Sequence, residues 1–400
     1  MKQIVKKKEF NKRPSIDDIM AAAGMTAKTE TDYSISCADK PMEFIPMPKA
    51  FMECLKLPGF PMGYMSIITG WSNTGKSTLK NCLIASCINN GILPVIYETE
   101  NNFDWTYALD CGVKASPVYG EVEVEYVDEE TGEVEVRTEQ RIVNYKGDFI
   151  YLDTTLLAQY YGNNDYATGK QTKTYRKQAV IEDIAYSINE LLDLQEKGQI
   201  QQPLCFIWDS VGSIQSFKSY SSKVGNNMFD ANSLSTAFTN ILNSRIPSSR
   251  RVSEPYTNTF VCVNKIWNDS MNAMGGAASI ELKGGKSFYY SARLILHLGG
   301  VSKPATKKLN AVAKGQTYNF GNVSKMRVTK NQLPTPYNIS YEGDFACVHN
   351  GLCSVNDIEE YKKTHMKRLM EMVSKVGEQR IEINENDISF VEEEVTDMMV

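Results

Sequence analysis

The sequence predicts an α/β fold: a mostly parallel central sheet flanked by helices. Three observations point to it. Short apolar runs bounded by Gly, Pro and Asn recur through the middle of the chain, and helical stretches fall between them. A Gly-bounded turn, Gly70-Trp-Ser-Asn-Thr-Gly75-Lys76-Ser77, joins one such run to one such helix. Strand-helix alternation of this kind favours parallel pairing with helices on both faces.

The elements follow in order. Residues 1–13 form a basic arm, six Lys/Arg against Glu9. Ser15 is placed to cap a short helix over 15–24, with Asp17 and Asp18 in its first turn and Gly24 as its stop. A polar linker reaches residue 50, and the core is assigned to 51–345. Within it, 64–69 is a strand, 76–89 a helix, 93–97 a strand and 103–111 helical. Val and Glu alternate over 121–143 around Asp128-Glu-Glu-Thr-Gly132, which predicts an inserted hairpin (about 117–147) with one apolar and one acidic face. Strand 149–152, helix 177–197 and buried strand 204–208 follow. Residues 212–233 read as a polar loop, then come helix 234–245, strand 259–263, a Gly-rich loop 268–286 and strand 289–297. Strands 324–330 and 337–341 complete the sheet. A helical segment occupies 346–381, and 382–400 is an acidic tail.

The 400 residues are 42% hydrophobic and 23% charged, which excludes a disordered chain, a collagen-like fibre and a disulfide-built miniprotein. No apolar run reaches the ~18 residues of a membrane span, and the start lacks the apolar stretch of a signal peptide. Nine cysteines with no C-x-x-C read as reduced and buried, so the expected location is the cytoplasm, without membrane association. The net charge of −5 is unevenly spread: residues 121–139 carry −8 and residues 382–397 carry −7. The remainder is therefore a body of +10, open to a polyanionic partner.

Gly70 to Ser77 fits G-x-x-x-x-G-K-[ST], after a strand and opening a helix. In such a loop the backbone N–H groups of Gly70, Trp71, Ser72, Asn73, Thr74, Gly75, Lys76, Ser77 and Thr78 wrap phosphates, and the helix N-terminus adds positive charge. Lys76 would reach the β- and γ-phosphates and the Ser77 hydroxyl would bind Mg²⁺. The expected ligands are ATP and Mg²⁺. Asp209, ending the apolar run Leu204–Trp208, is the second metal support. Glu98 and Glu100 end the strand beside the loop; Glu100 is favoured as the base that orients water, and Glu98 as a structural carboxylate.

Several blocks, in order, resemble the RecA-type strand-exchange recombinases, most closely the phage, UvsX-like type, over about 50–345. They are Gly59-Phe-Pro-Met-Gly63, Glu98 to Val113, Trp208-Asp209-Ser210-Val-Gly, Phe260-Val-Cys-Val-Asn264, Gly284-Gly285 with Phe288 to Leu294, and Arg327-Val-Thr-Lys330-Asn331. The resemblance implies a RecA-like ATPase core and a DNA-dependent ATPase that forms helical filaments on single-stranded DNA and pairs it with homologous duplex DNA. It makes Glu100 the base, puts Asp104 and Tyr107 at the adenine, and sends Lys330 to the ATP of a neighbouring subunit. Asn264 ends the strand that senses the γ-phosphate. Lys265 stands where the family has Gln or His, and Gln332 where it has a second lysine. Lys265 is either a cation supplied in cis or a plain surface base.

The same resemblance makes 212–233 and 268–286 DNA loops, with Lys218, Lys223, Met271, Gly275, Gly276, Lys283 and Lys286 as contacts. Lysine heads and flexible glycine backbone suit phosphates, while Met and aromatic side chains can wedge against bases. Ile16, Ile19 and Met20 of the N-terminal helix, with Phe288, are the expected subunit interface. Loading or single-strand-binding proteins would be further partners. The acidic tail is either a solubilising end or a competitor with DNA for the basic loops. Two other readings share the loop: a hexameric helicase built as a ring, and a P-loop kinase or nucleotide-binding regulator without DNA activity. The three histidines, 297, 349 and 365, show no ligand spacing.

Overall fold

The computed structural model describes residues 38–127, 134–222, 227–268, 280–282, 285–300, 306–376 and 380–395. Twelve strands form one sheet: β1 Met65–Gly70, β2 Leu93–Glu98, β3 Ile150–Asp153, β4 Leu204–Val211, β5 Thr259–Asn268, β6 Ile280–Leu282, β7 Ala292–Leu298, β8 Lys307–Ala313, β9 Gln316–Asn331, β10 Glu342–Val348, β11 Gly351–Ser354 and β12 Ser389–Glu394. The main path runs β11-β10-β9-β7-β1-β5-β4-β2-β3, with β6 on β5, and β8 between β9 and β12. The helices used below are α1 Lys49–Leu55, α2 Lys76–Asn89, α3 Trp105–Asp110, α4 Ile181–Glu196, α5 Asn227–Asn240 and α6 Met366–Ser374.

The expectation of a mostly parallel sheet is corrected here: the sheet is mixed. Pairings from β3 through β7 along the main path are parallel, whereas every pairing beyond β7 is antiparallel. The reason is connection length. The parallel strands are joined by long crossovers, but β8 turns into β9 through Lys314 and Gly315, both at positive φ (49° and 83°), the twist that closes a two-residue hairpin. Strand 337–341 is replaced by β10 and β11, and β8 was not foreseen. The assigned boundary at 345 falls inside β10.

The parallel strands are apolar on both faces because both faces are covered. Ile68, Ile96, Ile207, Val261 and Val263 face a core closed by α1 and α2. Their neighbours Ile67, Val95, Tyr97, Phe206, Trp208 and Phe260 face the opposite core, closed by α4 and α5. There Trp208 stacks on Phe238 at 5.4 Å, and Phe288 packs edge-on against Phe238. A third core beneath the antiparallel strands joins Leu309, Phe320 and Val348 to Tyr361, Leu369 and Val373. The segment 346–381, expected to be helical, begins with the end of β10 and with β11, and its helix is divided, Ile358–Thr364 and then α6.

The hairpin is present as Ser116–Val127 against Val134–Lys146, pairing only with itself. Its predicted division into an apolar and an acidic face does not occur. Register places Val122 opposite Glu139 and Val124 opposite Arg137 on one face, and Glu123 opposite Thr138 and Glu125 opposite Val136 on the other. Each strand alternates, but the two are one step out of phase, so both faces are mixed. Tyr145 ties its base to the body by stacking on Trp105 at 4.6 Å.

The acidic tail is in part structural. β12 pairs with β8, setting Glu393 and Glu394 opposite Lys308 and Lys307, and Asp387 meets Lys314 at 3.2 Å. The polar loop 212–233 contains helix Phe217–Ser222, fastened where Ser216 and Ser219 donate to Asp230 Oδ1 at 2.7 Å. Among the described residues no helix is long and apolar enough to cross a membrane.

Candidate functional site

Register brings the carboxyl ends of the parallel strands to one level. Glu98 pairs with Asp209, Asn264 with Thr69, and Gly70 with both Lys265 and Leu298. The carboxyl edge of a parallel sheet is where α/β folds place ligands, and the glycine loop rises from it.

The loop's shape follows from its residues. Asn73 and Gly75 adopt positive φ (59° and 100°), and a Cβ on Gly75 would sit 2.5 Å from Cys347 Sγ. Thr74 Oγ1 donates to Trp71 O at 2.7 Å, and Trp71 Nε1 donates to Gly300 O at 3.0 Å. Helix α2 starts with no side-chain cap. A helix N-terminus favours an anion, because its dipole is positive there. Lys76 folds back, donating to Gly70 O at 3.0 Å and Trp71 O at 2.5 Å.

A cleft of about 500 Å³ opens over this helix end, lined by Asn73, Gly75 to Thr78, Asp104, Tyr107 and, from the far wall, Tyr318 to Asn322, His349 and Arg368. Asp104 caps α3 by accepting from Tyr107 N at 3.0 Å. The Tyr107 hydroxyl hydrogen-bonds Thr78 Oγ1 at 2.7 Å and donates to Val348 O at 3.2 Å. Burial pushes the Tyr107 hydroxyl pKa up, so it stays protonated. Arg368 reaches Asp110 at 3.4 Å, and burial, followed by Arg368, lowers the His349 pKa. The sequence alone did not reveal this far wall, because its residues lie more than 200 positions from the loop.

Behind the loop sits a buried ionic cluster. Lys80 Nζ donates to Asp209 Oδ2 at 2.6 Å and to Glu98 Oε2 at 3.0 Å; the side chains are 3%, 10% and 0% exposed. Burial works against the Lys80 ammonium, but Asp209 and Glu98 override it and hold its pKa above the usual lysine value. Burial pushes the Glu98 carboxyl up, against the pull of Lys80. Glu98 Oε1 accepts from Glu100 N at 3.1 Å, and Ser210 Oγ donates to Glu100 Oε1. The two acids thus divide: Glu98 is locked inside, and Glu100, half-buried, is at the edge. Lys80 was not singled out from the sequence, although its place between Leu79 and Leu83 on a buried face is a signal.

The remaining expected residues are dispersed. Ser77 lines the cleft, and Asn264 is buried on β5. Lys330 lies elsewhere: its Nζ donates to Tyr289 O at 2.6 Å and Tyr290 O at 3.3 Å, at the amino end of β7, away from its own glycine loop. Phe288, expected at a subunit surface, is 1% exposed and belongs to its own protomer's core, because Trp208, Phe238 and Phe260 surround its ring; Tyr289 and Tyr290 take the exposed positions. Lys218 is on helix Phe217–Ser222, and Lys286 is in helix Gly285–Ser291. Ile16, Ile19, Met20, Lys223, Met271, Gly275, Gly276 and Lys283 lie outside the described residues. No family model matches the chain, and no curated protein matches it.

Proposed function

We propose that this chain is an ATP-dependent DNA recombinase of RecA type, an ATPase that assembles on single-stranded DNA and pairs it with homologous duplex. The reading rests on one observation. The uncapped helix behind a glycine loop, an edge carboxylate at Glu100 and a strand-end carboxylate at Asp209 share one sheet edge, while Lys330 faces the opposite end. A RecA-like core accounts for that division, because the missing cation would come from a neighbouring copy.

In this reading the phosphates take the loop amides and the α2 N-terminus, and Lys76 exchanges its two carbonyl partners for them. Ser77 and Asp209 offer a hydroxyl and a carboxylate oxygen, donors of the kind a hard divalent cation takes, so they would hold Mg²⁺. When bound, that ion neutralises phosphate charge. Glu100 takes a proton from the water that attacks the γ-phosphorus. The bond to the β–γ bridging oxygen breaks, leaving ADP and phosphate. Ser210 fixes the Glu100 carboxylate for this step. Asp104 and Tyr107 flank the base, Tyr107 offering its ring. The chain segments after β4 and β5 leave the same edge and would carry the DNA, so that hydrolysis and DNA contact are neighbours.

The test is ATP hydrolysis by the full chain with and without single-stranded DNA. Stimulation by DNA, together with strand exchange between homologous substrates, supports the reading. Hydrolysis coupled to duplex unwinding by rings would favour the helicase, and hydrolysis indifferent to DNA would refute both.

A further inference from the structure

Lys80 lies one helical turn beyond Lys76, on the face of α2 turned to the sheet. Its ammonium is gripped by carboxylates from two adjacent strands, and the Phe103 ring covers it at 4.8 Å. Two carboxylate oxygens converge on one buried point and would supply two of the six oxygen ligands that a small divalent cation takes. A metal ion there would draw both oxygens in to about 2.1 Å. The lysine leaves the buried group at a net charge of −1, where the acids alone would be −2. Both arms of the cluster end on Glu100: Glu98 accepts its backbone N–H, and Ser210, next to Asp209, donates to its carboxylate.

We propose that Lys80 is the resident cation of this pocket. It ties Asp209 to Glu98, keeps a free divalent cation from entering between them, and positions Glu100. Divalent metal is then admitted only with nucleotide, whose phosphates supply the missing negative charge. This last step rests on the nucleotide reading above; the exclusion of free metal does not.

The experiment uses Mn²⁺ as probe on the full chain without nucleotide, read by electron paramagnetic resonance and by the shift in melting temperature. The wild type should leave Mn²⁺ free into the millimolar range. Lys80→Met should bind one Mn²⁺ at least tenfold more tightly and gain melting temperature with it, since binding to the folded state alone stabilises that state. Lys80→Met/Glu98→Gln should return to wild-type behaviour. Should Lys80→Met fail to fold, Lys80→Gln, which keeps a donor for one carboxylate, carries the same measurement. A folded Lys80 variant with wild-type Mn²⁺ affinity, or a wild type that already binds Mn²⁺ as tightly, overturns the proposal. In turnover, Lys80→Met/Glu98→Gln should lower kcat at least tenfold with KM for ATP within threefold, as loss of positioning requires. Unchanged kcat would refute the positioning role. The Mn²⁺ result stands whether or not the protein hydrolyses ATP or binds DNA, so its failure and that of the proposed function are distinguishable.

Discussion

The position of Lys330 makes a quantitative prediction about mixed assemblies. Lys330 pairs with Ile295, and its ammonium reaches the Tyr289 and Tyr290 carbonyls, just before β7 begins level with Met65. Ile295 in turn pairs with Ile67 on β1, so the Lys330 backbone lies three residues short of Gly70 and two strands away: about 10 Å along and about 9.5 Å across, ~14 Å in all, which is longer than a lysine side chain. Lys330 therefore cannot serve its own loop. If it serves a neighbour's, Lys330→Ala should lower ATP turnover by ~10³-fold or more, the typical worth of a cation supplied in trans. Lys76→Ala should abolish turnover in its own subunit. An equimolar mixture of the two inactive variants should then recover activity. Half the protomers keep an intact loop, and half of those meet a neighbour with an intact lysine. In a head-to-tail assembly this gives about one quarter of wild-type turnover. The assay is phosphate release with single-stranded DNA at matched total protein. A mixture no more active than the sum of its parts would refute a trans role.

Three further predictions concern single features. Glu100→Gln should hold ATP with near-wild-type affinity while hydrolysis stops, checked by fluorescent-nucleotide titration against phosphate release. Asp183→Ala should cost ~3–5 kcal/mol, because it strands the buried Arg176 guanidinium that Asp183 meets at 2.5 Å; urea denaturation measures it. Replacing 118–144 by a short glycine turn should leave the melting temperature within a few degrees, since neither hairpin strand pairs with the main sheet.

The central strands were legible because burial on both faces removes polar alternation, and helix α2 was legible end to end because a Gly-bounded turn starts it. Asp209 and Glu100 were legible as strand-end acids. The hairpin was legible as an element but not in its faces: each strand alternates cleanly, while phase depends on cross-strand register, which a single strand's pattern does not contain. β12 read as a charged tail because its Glu392, Glu393 and Glu394 find their partners at Lys307 and Lys308, some 85 residues away. Lys80 sits on a buried helix face, but its role was not legible, since its two acids come from other strands.

The measurement closest to the central claim is electron microscopy of the full chain with single-stranded DNA and a non-hydrolysable ATP analogue. The account predicts helical filaments that need both ligands and that disappear with Lys76→Ala. Isolated particles or closed rings under the same conditions would contradict it.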